Sequence, residues 1–266
     1  MVALCYFGED GIPPPATNPT SFYSVSKTCQ IPRLSMLYER YFGCCTNGCF
    51  VEIGAYDGES FSNTSGLADA GWRGYYVEPV PDFADKCRIR HSTNKNVKVD
   101  QLAIANARKS VTMHVAGPLS TADGNMKSLF CSLEWARSYF SREVEISVEA
   151  IPLDEYLREN AIPEGFELLS VDVEGFEWEV LRNFPMGRWK PRMVIIELHD
   201  HNDDYLGIRQ QCNSLVEYFE DNAYRVIYKD FTNTVYVRKD TAAVPRGESN
   251  AKPGQIRRRL PERFRQ

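Results

Sequence analysis

Between Cys49 and Arg238, short apolar runs closed by glycine, proline or an acid alternate with stretches whose apolar residues recur at helical spacing. CFVEIG, GYYVEP and VKVDQLAI read as strands, with SNTSGLADAG and PDFADKCRIRH as helices between them. ELLSVDVEG and RMVIIELHD repeat the strand pattern around the helix EWEVLRNF, and a longer helix, GIRQQCNSLVEYFEDN, follows. Strands linked through helices pair in parallel. The alternation therefore constrains the chain to an α/β fold, a mostly parallel sheet with helices on its faces. YRVIYKD and NTVYVRK read as a closing hairpin. IPRLSMLYERYF adds an early helix through Ile31, Leu34, Leu37 and Tyr41.

The middle breaks the rhythm. SVTMHVAG and REVEISVEAI alternate like strands around the loop GPLSTADGN and the part-helical SLFCSLEWARSYF. The organisation read from these shifts is an irregular arm at 1–30, a main domain at 31–240 with a β-containing insertion at about 106–150, and a tail at 241–266. Trp135, Tyr139 and Phe140 recur at near-helical spacing and are read as core rather than as a platform for a ligand. His91 and His114, without acidic neighbours in sequence, are read as structural, and Glu177 as a solvated helix face.

A chain of 266 residues with 43% hydrophobic residues has material for one sizeable core. Its net charge of −5 argues against general nucleic-acid binding. The charge is uneven: from Pro245 onward seven basic residues face two acids, and loss of periodicity there predicts a loose, solvated tail. No apolar run approaches a membrane span. Eight cysteines without a basic-then-apolar leader are expected as reduced thiols in a cytoplasm. Cys29, Cys44, Cys45 and Cys49 form no C-x-x-C pair and have no histidine nearby, so they read as free thiols rather than a zinc site.

The stretch CFVEIGAYDGESFSNTSG carries the first chemical signal. A strand running into a loop with Gly54 and Gly58 around Asp57 lets backbone approach a small ligand, and the next strand ends in Glu78 and Pro79. A glycine loop followed about 20 residues later by a strand-end acid suits a nucleoside, whose ribose diol the carboxylate accepts. The loop is no dinucleotide fingerprint. Asp57 facing a pyrophosphate would be repelled by about 1 kcal/mol even at high dielectric. Glu52 and Asp57 suit instead a cationic nucleoside, S-adenosylmethionine. Tyr56 could cover its sulfonium, although a packed tyrosine is the simpler role. A sharp turn without a ligand is the alternative.

The ordered set FVEIGAYDGESFSNTSGL, GWRGYYVEP, SVEAIPLDEYL, LLSVDVEGFEWEVLRNF and VIIELH resembles the FkbM-type S-adenosylmethionine-dependent methyltransferases over roughly residues 48–240. The resemblance implies a Rossmann-like class I methyltransferase: a mostly parallel seven-stranded sheet, helices on both faces and a terminal antiparallel hairpin. It also implies O-methyl transfer to a sugar, a glycan or a similar small polar acceptor. By position, Glu52, Gly54, Ala55 and Gly58 would line the methionine end, flanked by Ser62 and Asn63. Glu78 would hold the ribose, and Gln101 and Leu102 would flank the adenine.

A second cluster lies at two further strand ends, SVDVEG and IIELHD. If those strands are neighbours, Asp172, Glu174, Glu197 and His199 converge beside the cofactor loop. His199 could take the acceptor's proton as a general base. Alternatively Asp172, Glu197 and His199 hold magnesium or manganese. Glu174 and Gly175 could equally do no more than turn the chain into the next helix. Two other functions compete: a silent nucleoside-binding scaffold, and an NAD-dependent dehydrogenase, which the missing phosphate loop disfavours.

Overall fold

The computed structural model describes residues 21–244 and the backbone of Tyr6–Phe7. The rest of the arm, Cys5 and the basic tail from Pro245 lie outside the described residues. Eleven strands run in chain order as β1 (Tyr6–Phe7), β2 (Cys49–Ile53), β3 (Arg73–Val77), β4 (Val97–Asp100), β5 (Ala103–Ile104), β6 (Lys109–Val115), β7 (Val144–Ile151), β8 (Leu168–Val171), β9 (Met193–Glu197), β10 (Tyr224–Lys229) and β11 (Asn233–Arg238). Among them lie helices α1 (Leu34–Phe42), α2 (Ser65–Asp69), α3 (Pro81–Arg90), α4 (Gly124–Ser132), α5 (Glu134–Arg137), α6 (Leu153–Glu159), α7 (Glu177–Leu181), α8 (Met186–Trp189) and α9 (Arg209–Asp221).

The main sheet has the order β1-β10-β11-β9-β8-β2-β3-β4. β9, β8, β2, β3 and β4 pair in parallel, and β11 and β10 close the sheet as an antiparallel hairpin. Seven of these strands form the expected mostly parallel sheet with its terminal antiparallel hairpin. The eighth, β1, adds two residues at the edge, pairing antiparallel with β10.

β2, β8 and β9 are buried along their whole length because both faces are covered. Successive residues therefore enter opposite cores. Phe50, Leu168, Met193 and Ile195 pack with α1–α3 through Leu34, Tyr38, Leu67 and Cys87. Val51, Leu169, Val194 and Ile196 pack with α6–α9 through Tyr156, Leu181, Trp189 and Phe219. Part of the arm joins the first core: Tyr23, 2% exposed, meets Tyr38 and Trp72 edge-on.

The expected strand VKVDQLAI is two. β4 ends at Asp100 in the main sheet, and β5 begins a separate sheet of order β5-β7-β6. Gln101 and Leu102 occupy the step between them. β6 and β7 pair antiparallel from Lys109↔Ala150 to Val115↔Val144, so the insertion is β-containing, with α4 and α5 carried between its strands.

Candidate active site

The rim is built by hydrogen bonds that run one residue past each parallel strand. Gly54 N donates to Val77 O at 3.0 Å, Glu78 N to Asp100 O at 3.1 Å, and Asp172 N to Ile53 O at 3.0 Å. These bonds bring Gly54, Glu78 and Asp172 together where the chain order reverses, with β3 on one side of β2 and β8 on the other. β8 and β9 pair Val171 with Ile196, which makes Asp172 and Glu197 neighbours in turn. A cavity of about 450 Å³ opens here, a volume in the range of small-molecule sites.

Of the residues expected at a nucleoside, Glu52, Gly54, Ala55, Tyr56, Ser62, Glu78, Pro79 and Leu102 line this cavity. Gly54 has φ 84°, and a Cβ there would lie 1.7 Å from the Asp172 carbonyl oxygen, so backbone meets backbone at the cavity edge. Each Glu78 oxygen accepts one backbone N–H, from Tyr56 and from Val80, both at 2.8 Å, leaving further lone pairs for a diol. Tyr56 packs edge-on against Phe83, with ring centroids 4.6 Å apart, in agreement with the packed role. A cradle with no room for a Cβ, a buried carboxylate and the apolar wall of Pro79, Phe83 and Leu102 fit a nucleoside cofactor.

Four expected contacts fall elsewhere. The Asp57 carboxylate accepts from Glu59 N, Ser60 N and the Ser60 hydroxyl at 2.6–2.9 Å, so it closes its own turn and does not line the cavity. Gly58 packs under Cys87 and His91, and its carbonyl lies 3.0 Å from His91 Nε2. That bond, with the stacking of His91 on Tyr76, makes His91 structural as read. Asn63 faces inward: its carbonyl accepts from Tyr38 OH at 2.7 Å and its amide donates to Ser170. Gln101 is exposed at the strand break, while Leu102 alone reaches the cavity.

Glu52 is also committed. Its carboxylate accepts from the Ser62 hydroxyl at 2.9 Å, from Asn63 N at 3.1 Å and from the Thr64 hydroxyl at 2.6 Å, fixing the turn into α2. Burial pushes Glu52 up to about 7 against these bonds, and burial likewise pushes Glu78 up to about 7, against an ordinary 4.5. Folded values above unfolded ones mean stability that is complete below about 4.5 and is lost as pH rises through 7. The ligand-free melting temperature should accordingly fall by several degrees between about pH 5 and 8, read by scanning fluorimetry. A flat or rising profile would contradict the two burials.

The structure brings together the four residues at the ends of β8 and β9, but the closest three are the carboxylates rather than the Asp172, Glu197 and His199 set considered for a metal. Asp172, Glu174 and Glu197 bring carboxylate oxygens within 4.8 Å of one another, and His199 stands beside them. Its Nε2 is 3.2 Å from Glu197 Oε1, its Nδ1 is 3.3 Å from the Phe231 carbonyl, and its ring stacks on Tyr205 at 3.7 Å. Burial and then Glu197 hold the Asp172 carboxyl far above the ordinary range, and the same two causes raise Glu174. Burial, the largest influence, opposes charge on His199, but Glu197, Glu177 and the Phe231 carbonyl together outweigh it and raise the imidazole above its usual value.

Glu177 is 5% exposed rather than solvated. Its Oε1 accepts from Val173 N at 3.0 Å and Gly175 N at 3.3 Å, which holds the turn that presents Glu174 at φ 53°. The insertion braces the same turn through Thr121, whose hydroxyl donates to Glu174 O at 2.7 Å, and through Met126 packed over Gly175.

The insertion also supplies a wall that sequence reasoning placed in the core. Phe140 is buried, but Trp135 and Tyr139 are 57% and 46% exposed and line the cavity, as does Phe61, 42% exposed, from the cofactor loop. Trp135 meets the buried Phe130 edge-on, and Phe130 meets Tyr205, so an aromatic run leads from the opening to His199. His114, isolated in sequence, lies 2.7 Å from Glu143 in the fold.

A sequence profile described as the methyltransferase FkbM domain matches residues 52–226. No curated protein matches the chain. Among solved structures, an O-methyltransferase from Bacillus cereus in complex with SAH is 14% identical, with 80% of this chain and 84% of that one covered and a TM-score of 0.45. A precorrin-6y C5,15-methyltransferase from Geobacter metallireducens is 12% identical, with 82% and 94% covered and a TM-score of 0.41. Aeropyrum pernix fibrillarin with natively bound S-adenosyl-L-methionine is 12% identical, with 72% and 66% covered and a TM-score of 0.39.

Proposed function

The chain belongs to the FkbM methyltransferase family, and on that premise we propose that it is an S-adenosylmethionine-dependent O-methyltransferase acting on a hydroxyl of a sugar, a glycan or a similar small polar acceptor. The observation that carries the reading is one cavity with two chemically distinct halves. A glycine cradle with a diol-accepting acid lies at the ends of β2 and β3, and a carboxylate–histidine cluster lies at the ends of β8 and β9.

S-adenosylmethionine, when bound, supplies a methyl group on a positively charged sulfur. Glu78 accepts from the ribose, Gly54 allows the close backbone approach, and Pro79, Phe83 and Leu102 cover apolar ring surface. His199 takes the acceptor hydroxyl's proton at Nε2. Glu197 stabilises the charge that forms there and keeps the ring's basicity high. Phe130 and Leu119 exclude water from the same space. Among the described residues the lining contains no lysine or arginine, which favours uncharged hydroxylated acceptors over phosphate-bearing ones.

Trp135 and Tyr139 suit the apolar face of a ring. Trp135→Ala should raise KM for a ring-shaped acceptor several-fold with kcat little changed, the pattern of lost uniform binding. Steady-state kinetics check this, and an unchanged KM would remove Trp135 from acceptor recognition. The function itself is tested by transfer of a labelled methyl group to a panel of neutral glycosides and alcohols. Transfer to a hydroxyl is the expected result. Cofactor binding without transfer to any member would favour the silent scaffold.

No helix of the described residues is long and apolar enough to cross a membrane. A cytoplasmic location, with reduced thiols, belongs to the same proposal.

A further inference from the structure

We propose that Asp172, Glu174 and Glu197 form a divalent-cation site, for magnesium or manganese, within the cavity. One carboxylate oxygen from each lies within 4.8 Å of the others. Their convergence alone would call only for protons or solvent, but two further observations point to a cation.

The first is an orphaned atom. Glu197 is 8% exposed, and its Oε2 has no hydrogen-bond partner among the described residues. Glu197 lines the cavity. A buried carboxylate oxygen without a donor is costly, and a cation in the cavity satisfies it.

The second is charge. Glu52, Glu78 and Asp204 also line the cavity, and no lysine or arginine among the described residues does. The insertion shows the opposite solution. His114, Glu143 and Glu145 converge just as closely, but Lys127 Nζ lies 2.7 Å from Glu143 and 3.5 Å from Glu145, so that cluster holds its own cation. The cavity cluster has no such side chain.

The donor set selects the ion. Three carboxylates with no thiolate suit hard cations, and among the described residues no cysteine joins the group. Three protein oxygens leave positions on a six-coordinate ion for water or acceptor hydroxyls. An ion held there would grip an acceptor hydroxyl and lower its pKa. His199 then stays outside the ligand set, beside it. Cation binding stands on the carboxylates; its use in methyl transfer rests on the function proposed above.

The test is titration of the full chain with Mn(II), with free ion read by electron paramagnetic resonance. One ion bound per chain and displaced by magnesium is expected. Glu174→Gln and Glu197→Gln should each weaken binding more than about tenfold, while Glu145→Gln in the insertion and His199→Gln leave it within about threefold. S-adenosylhomocysteine binding checks that each variant is folded, and the parent titration stands without any variant. No bound manganese at millimolar concentration, or binding that survives both cluster substitutions, overturns the site. Loss of binding in His199→Gln overturns the ligand set. A chain that binds manganese but not S-adenosylhomocysteine keeps the site and defeats the proposed function. The reverse pattern defeats the site alone.

Discussion

His199→Ala is expected to lower kcat by about 10²–10⁴ while leaving S-adenosylhomocysteine affinity nearly unchanged. The imidazole lies in the half of the cavity away from the glycine cradle, so its loss removes proton transfer and spares cofactor contacts. The pH profile separates this role from a structural one. Against burial, Glu197 together with Glu177 and the Phe231 carbonyl holds His199 above its ordinary value. The acidic limb of the parent's kcat profile should therefore lie above the usual histidine range and move down in Glu197→Gln. Parental kcat in His199→Ala would assign the proton to another group.

Gly54→Ala should be the most damaging single change to the fold. Two constraints act together: φ is 84°, where a Cβ is strained, and that Cβ would lie 1.7 Å from the Asp172 carbonyl oxygen. The obstacle is backbone just past the end of the central strand β8, already committed through Asp172 N to Ile53 O, so no side chain can swing away. A loss of more than about 3 kcal/mol is expected in urea unfolding, beyond the ordinary range for point substitutions. An unfolding midpoint equal to the parent's would show that β2 and β8 can separate at the rim without cost.

Buried parallel strands are uniformly apolar and stop at the rim, so CFVEIG, GYYVEP, LLSVD and VIIE announce both their sheet and the residues that stand at its edge. Glu78, Asp172 and Glu197 read as rim residues in this way, and all three line the cavity. Asp57 was misplaced because an acid before glycine signals a ligand loop and a self-closed turn equally well, and only the donors Glu59 N and Ser60 N decide between them. Gln101 does not reach the cavity because the chain changes sheets inside VKVDQLAI; the adjacent polar pair Asp100 and Gln101, where the alternation slips, is the sequence signal of that break.

The insertion was least legible. Helical spacing puts Trp135, Tyr139 and Phe140 in one group, but α5 ends at Arg137, before the two later rings. Phe140 then turns inward, and Trp135 and Tyr139 turn to the cavity. Glu177 reads as a solvated face, and Glu174 equally as a cap or a cluster member, because their proximity to Glu197 is set by β9, which lies far along the chain.

Calorimetric titration of S-adenosylhomocysteine into the parent and into Glu78→Ala tests the central claim most directly. One-to-one binding by the parent, weakened about 10²-fold by loss of the carboxylate's hydrogen bonds to the ribose, is the predicted result. Absence of binding to the parent, or equal binding by both proteins, would contradict it.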